Sequence, residues 1–225
     1  MNATDLAQQV VQTGSQSAMS APLQVALFLG GMAFLTSALV TLTAFTRIVI
    51  VLSFVRRALS TQEIPPTPVL LGLSLFLTLF VMGPTFEAVE AKAVTPYRAG
   101  EITMDVAVQK SWTELRSFML KQTRKSDLAL FLELSHTGKV ATAADVPARV
   151  LIPSFITSEL KTAFIMGFCL YVPFLLIDLV VSVVLMSLGM MMMPPVVVST
   201  PIKLLLFVLV DGWPVLLKSL SSSFQ

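Results

Sequence analysis

Leu179-Val-Val-Ser-Val-Val-Leu-Met-Ser-Leu188, followed by Gly189-Met-Met-Met-Met-Pro-Pro195, is the stretch whose reading decides the fold. An almost purely apolar helical run breaks at a glycine, and four methionines separate that glycine from two prolines. Glycine tolerates the dihedrals of a helix end, while prolines lack an amide donor and push the residue before them out of the helical region. Met190 to Met193 therefore form a short loop, apolar where loops are usually polar. Methionine is unbranched, flexible and polarisable. Such a cluster either fills a buried gap or closes as a soft plug around changing contents, and the loop alone does not choose.

Composition sets the surroundings of this loop. Of 225 residues, 55% are hydrophobic and only 12% charged, a membrane-type balance outside the ordinary soluble range. The formal charge of +2 is small and the basic residues are scattered. That argues against a nucleic-acid footprint and against a polybasic lipid-binding run. Cys169 stands alone, which excludes an intrachain disulfide and a cysteine-based zinc cluster. The first basic residue is Arg47, so the chain does not open with the charged region of a secretory signal. Residues 1–21 read as a flexible lead-in.

Taken in order, the chain alternates apolar runs with breakers. Pro22 to Thr46 carries no charge and is long enough to cross a hydrocarbon core about 30 Å thick. Its helix is expected to continue past Arg47 and end near Ser60. Pro65, Pro66 and Pro68 then force a turn before a second run from Val69 to Gly83. Residues 22–83 thus read as a first apolar helical hairpin. If it spans a bilayer, the positive-inside tendency puts Arg56 and Arg57 at a cytoplasmic bend.

Residues 84–149 hold nine of the fifteen basic and eight of the thirteen acidic residues, and form the water-facing part. Trp112, Leu115, Phe118 and Met119 recur at helical steps, and Asp127 to Glu133 reads as a second helix capped near Ser126 or Asp127. His136, the one histidine, reads as a surface residue without partner ligands. No phosphate loop, carboxylate pair or nucleophile with a base supports an enzyme, and no cofactor or metal is implied. Residues 150–217 form a second apolar hairpin, kinked at Pro173, with the methionine loop 189–195 at its tip. Residues 218–225 read as a polar tail. The fold class is all-α: two long apolar hairpins with a helical domain between them.

Glu159, Asp178 and Lys203 are the informative charges, because an ionised group inside an apolar layer requires a partner or water. Asp178 lies about eleven residues before the loop tip and Lys203 about eight after it, so at roughly 1.5 Å per residue they reach similar levels. Two pairings remain open: Asp178 with Lys203 inside one hairpin, or pairing between neighbouring copies of the chain.

Several motifs then stand together in order and spacing: Phe45-Thr-Arg-Ile-Val-Ile-Val-Leu-Ser53, Arg57-Ala-Leu59, Phe118-Met-Leu-Lys-Gln-Thr-Arg124, Ile152-Pro-Ser-Phe155, Ser158-Glu-Leu-Lys161, Gly189-Met-Met-Met192 and Pro201-Ile-Lys203. From about Pro22 to Trp213 the chain resembles the FliP family, the P subunits of the flagellar type III export gate, whose paralogues serve virulence secretion. The resemblance implies a helical homo-oligomer, pentameric within the gate, assembled with the Q-type and R-type subunits FliQ and FliR and the B-type subunit FlhB. It implies the bacterial inner membrane at the flagellar basal body, residues 84–149 on the periplasmic side, and exported flagellar proteins as cargo. It also implies a pore gasket at Met190, Met191, Met192 and Met193, an intersubunit ion pair between Glu159 and Lys203, and subunit association through Phe118 and Phe131. Asp178 is left as a buried charge without an assigned role. Ser60 departs from the family pattern, standing where it has a glycine, as do Thr67-Pro68 and Pro214. The competing functions are a stand-alone ion or solute transporter using Asp178 and Lys203, a scaffold for other pore proteins, and the equivalent subunit of a virulence secretion system.

Overall fold

The structure, a computed structural model, describes residues 21–61, 64–136 and 145–224, without the side chains of 21, 22 and 35. The expected flexible lead-in lies, but for Ala21, outside the described residues. These are helical with no strand, in agreement with the all-α expectation. The helices are α1 (Ala21–Leu42), α2 (Phe45–Ala58), α3 (Thr67–Val81), α4 (Gly83–Val89), α5 (Thr95–Arg98), α6 (Met104–Gln122), α7 (Lys125–Leu134), α8 (Ala148–Ser187), α9 (Pro195–Leu209) and α10 (Gly212–Ser222). A π-helical turn, Glu90–Val94, joins α4 to α5.

The described residues divide into two compact units, one up to Leu39 and one from Val40 onward. In the first, α1 carries Leu23, Phe28, Leu29 and Phe34 exposed. The second contains the core. α2 turns Ile48, Val51, Leu52 and Val55 inward at steps of three and four, the stripe of an amphipathic helix. They meet Val150, Leu151 and Phe155 of α8, Leu70 of α3, Phe118 and Met119 of α6, and Leu216 and Leu220 of α10. Gly167 marks a close approach of α2 and α8, since a Cβ there would stand 2.5 Å from the Phe54 ring. The core thus gathers round the N-terminal half of α8, which at 40 residues is about 60 Å long.

The C-terminal half of α8 pairs with α9 along a narrow seam where only Val181, Leu185, Ser199, Lys203 and Phe207 are buried. Leu176, Leu179, Val180, Val183, Leu205 and Val208 are exposed on the outside of this hairpin. Two described helices, α1 from Leu23 and α8, are long and apolar enough to cross a membrane. The number rises to four if α3 with Gly83–Arg98, bent by 58°, and α9 with α10, bent by 67°, each count as one span.

Two local expectations are corrected. The helix expected to run unbroken from Pro22 to near Ser60 divides at Thr43-Ala44. There the Thr43 hydroxyl accepts the Phe45 N–H at 3.3 Å and the Thr46 hydroxyl donates to the Val40 carbonyl. Such side-chain bonds compete with the helical ladder. Nor do residues 218–224 behave as a free polar tail: α10 continues through Ser222, Leu220 is buried, and Phe224 packs on the core.

Candidate functional site

The methionine loop begins with a left-handed helix cap. Gly189 has φ +75°, its N–H donates to the Met186 carbonyl at 3.0 Å, and the Met190 N–H donates to the Leu185 carbonyl at 3.0 Å. This doubly bonded cap satisfies the last carbonyls of α8 and needs a residue that tolerates positive φ. Pro195 opens α9, where a missing N–H costs nothing. Between the two, Met191 is 83% and Met192 98% exposed, and Met190 and Met193 are partly exposed. Within one chain the methionines do not fill a gap; they project from the tip of an apolar hairpin.

Below the tip, Lys203 of α9 is 1% exposed and donates at 2.6 Å both to Asp178 Oδ2 of α8 and to Ser60 Oγ. The level-matching of Asp178 with Lys203 across one hairpin is therefore met within the chain. Asp178 Oδ1 and Ser199 Oγ are buried with no hydrogen-bond partner among the described residues.

A second node centres on Arg47, 2% exposed on α2. Its Nε donates to Glu159 Oε2 at 2.8 Å, and Nη2 donates to Glu159 Oε1 and to Gln122 Oε1, the latter at 3.0 Å. Nη1 donates to the Ser223 carbonyl and hydroxyl at 2.9 and 3.1 Å. All five guanidinium N–H groups are used, and the Phe224 ring lies 3.8 Å from Cζ. Gln122 in turn donates to the Phe224 carbonyl at 2.9 Å. One side chain thus ties α2, α6, α8 and the end of α10 together.

Next to Glu159 in sequence, Ser158 donates to Asp127 Oδ2 at 2.7 Å and accepts the Arg124 N–H at 3.0 Å, fixing the start of α7 against α8. Arg124 occupies the N-cap position of α7 without a side-chain cap hydrogen bond, and Ser126 and Asp127 lie in the first turn beside it. Phe118 lies inside the chain's own core, edge-on to Phe155 with ring centroids 6.0 Å apart, and Phe131 is half-buried against the same core. His136 is exposed with φ 49°. Among the described residues no group of three or more His, Cys, Asp or Glu is placed to hold a metal.

Glu159 and Lys203, paired by the resemblance across a subunit boundary, each have a partner in the same chain: Arg47 and Asp178. Reading the apolar runs for their charges singles out Glu159, Asp178 and Lys203, but Arg47 meets the same criterion. A lone arginine between Thr46 and Ile48 is the signal for the missing partner.

An all-α chain with an apolar exterior, one buried and one half-buried ion-pair node and an exposed methionine turn belongs to a class of helical membrane-associated proteins. Its particular family follows from comparison. A profile of the FliP family matches residues 28–220, and the chain belongs to that family. It is 51% identical over 216 residues to the flagellar biosynthetic protein FliP of Pectobacterium carotovorum, covering 96% of this chain and 83% of the relative. To that of Bacillus subtilis it is 53% identical over 186 residues, 83% of this chain and 84% of the relative. To that of Buchnera aphidicola from Acyrthosiphon pisum it is 50% identical over 220 residues. The chain covers 98% of itself but only 58% of that relative's length in this last match.

Proposed function

We propose that the chain is a pore-forming subunit of the flagellar type III protein export gate, in which the methionine loops of several copies close a channel for unfolded flagellar subunits. The observation that carries this reading is the tip of the α8–α9 hairpin, where Met191 and Met192 stand exposed and unsupported on a rigid, capped base. Apolar side chains left open in one chain are covered in an assembly. Repeated around an axis, a single flexible loop becomes a ring that seals on itself and parts around a moving chain. The relatives' description as flagellar biosynthetic proteins supports the system.

On this reading the chain sits in the bacterial inner membrane at the basal body with residues 84–149 on the periplasmic side. It forms a homo-oligomer, pentameric within a gate that also contains FliQ and FliR, with FlhB beside it. An intersubunit Glu159–Lys203 pair would require exchange of two in-chain pairs, of which Arg47–Glu159 is fully buried and Lys203–Asp178 half-buried. We therefore assign both residues to holding the subunit's own shape, with Phe118 acting through the same core. The gasket is tested by replacing Met190, Met191 and Met192 with alanine in cells carrying the full gate. Assembly is expected to persist while the membrane becomes leaky to small ions; an intact complex with unchanged leak refutes the plug.

A further inference from the structure

Ser60 occupies a position that its residue type disfavours. α2 ends with Leu59 as its last half-helical residue, and Ser60 follows in the left-handed region at φ 58°. Its N–H donates to the Arg57 carbonyl at 3.0 Å, completing the cap that glycine normally makes. A side chain at positive φ is strained by contact between Cβ and the following carbonyl. Strain of this kind persists where surrounding structure over-determines it, and here the side chain has a long-range contact. Ser60 Oγ accepts from Lys203 Nζ at 2.6 Å across 143 residues of sequence.

We infer that the Ser60 hydroxyl is a positioning group for Lys203, completing with Asp178 a two-acceptor cradle that pins the bend of the first hairpin to the hairpin bearing the methionine loop. Asp178 alone leaves the ammonium with one carboxylate oxygen, since Oδ1 is buried without a partner. The buried ammonium has three donors and gains little from water, so the second acceptor decides where its head is held. Among the described residues only Asp178 and Ser60 make polar contacts to Lys203, and the other buried residues of the seam are apolar or Ser199. The hydroxyl therefore fixes α9 against the end of α2. This inference concerns the single chain and does not depend on the export-gate reading.

The test uses the full chain in detergent, pulse-labelled with an amine-acylating reagent and read lysine by lysine by mass spectrometry. Ser60→Ala keeps the backbone strain and removes the acceptor; Ser60→Gly removes both. Lys203 labelling is expected to rise several-fold in both variants while Lys92, on the exterior, stays at the wild-type level. The melting midpoint of Ser60→Gly is expected above that of Ser60→Ala. Lys203 labelling at the wild-type level in Ser60→Gly overturns the inference, because it leaves only the backbone as the cause. Should Ser60→Ala not fold, Ser60→Gly, unstrained at this φ, carries the test alone.

Discussion

Replacing Arg47 and Glu159 by leucine, singly and together, distinguishes pairing within the subunit from pairing across it. Arg47→Leu strands a carboxylate that is 0% exposed. Removing one partner of a buried ion pair costs about 3–5 kcal/mol, or roughly two to four orders of magnitude in the folding equilibrium. Glu159→Leu strands Arg47 with three of its five hydrogen bonds and no countercharge, and the same range applies. Simple addition then predicts a loss of about 6–10 kcal/mol for the double variant, comparable with the whole stability of a domain. Joint replacement of a buried pair by apolar residues is close to neutral. Gln122 and the Ser223 carbonyl lose a donor in the process, which keeps the expected double-variant loss near 1–3 kcal/mol. The coupling is thus about 3 kcal/mol or more. It is measured on the full chain in detergent by denaturant titration, with Trp112 and Trp213 fluorescence and far-ultraviolet circular dichroism as probes. Glu159 and Lys203 lack a shared partner, and Lys203 meets Asp178, 19 residues and about 28 Å farther along α8 than Glu159. Their cycle is expected to be additive within about 0.5 kcal/mol. Strong coupling of Glu159 to Lys203 with none to Arg47 refutes the reasoning.

Two glycines test the geometry of the hairpins. Gly167→Ala sets a methyl 2.5 Å from the Phe54 ring, and is expected to destabilise the chain by about 1–3 kcal/mol, read as a lowered unfolding midpoint. Phe54→Leu, which shortens the colliding side chain, should recover part of that loss. Gly189→Ala meets no atom but must hold positive φ at the end of α8, and is expected to cost about 1–2 kcal/mol, with faster amide exchange at Met190 as the local sign.

Some of this was open to sequence reading because it depends on spacing along one helix or hairpin. Counting from the loop tip places Asp178 and Lys203 at similar levels, and a rise of about 1.5 Å per residue carries that count into three dimensions. The glycine and prolines around Met190 to Met193 likewise fix a loop by backbone chemistry alone. Contacts between distant segments are another matter. Arg47 and Glu159 are 112 residues apart, and no periodicity joins them. Phe118 stands in an apolar stripe that spacing reveals, but its neighbour Phe155, 37 residues on, is not joined to it by any periodicity. Thr43-Ala44 divides a helix without a glycine or proline to announce it.

The end of the chain shows the difference between absent and overlooked signals. Ser219, Ser221, Ser222 and Ser223 suggest a polar tail by composition, yet Leu216, Leu220 and Phe224 recur at four-residue steps and occupy one helical face. That face is the buried one, and it brings the Ser223 carbonyl and the Phe224 ring onto Arg47. The serines supply the outer surface and, at Ser223, a hydroxyl for the guanidinium. A charge inside an apolar core is tolerated here because the chain itself encloses it, with partners from α6, α8 and the end of α10 around a residue of α2. The same logic explains why the methionines differ. Their hairpin has its charges neutralised internally at Lys203 and Asp178, and its tip presents only soft apolar side chains outward. Internal neutralisation leaves the exterior free to pack against apolar surroundings without stranding an ion, so the polar nodes hold the chain's own fold while the methionine tip stays exposed and apolar.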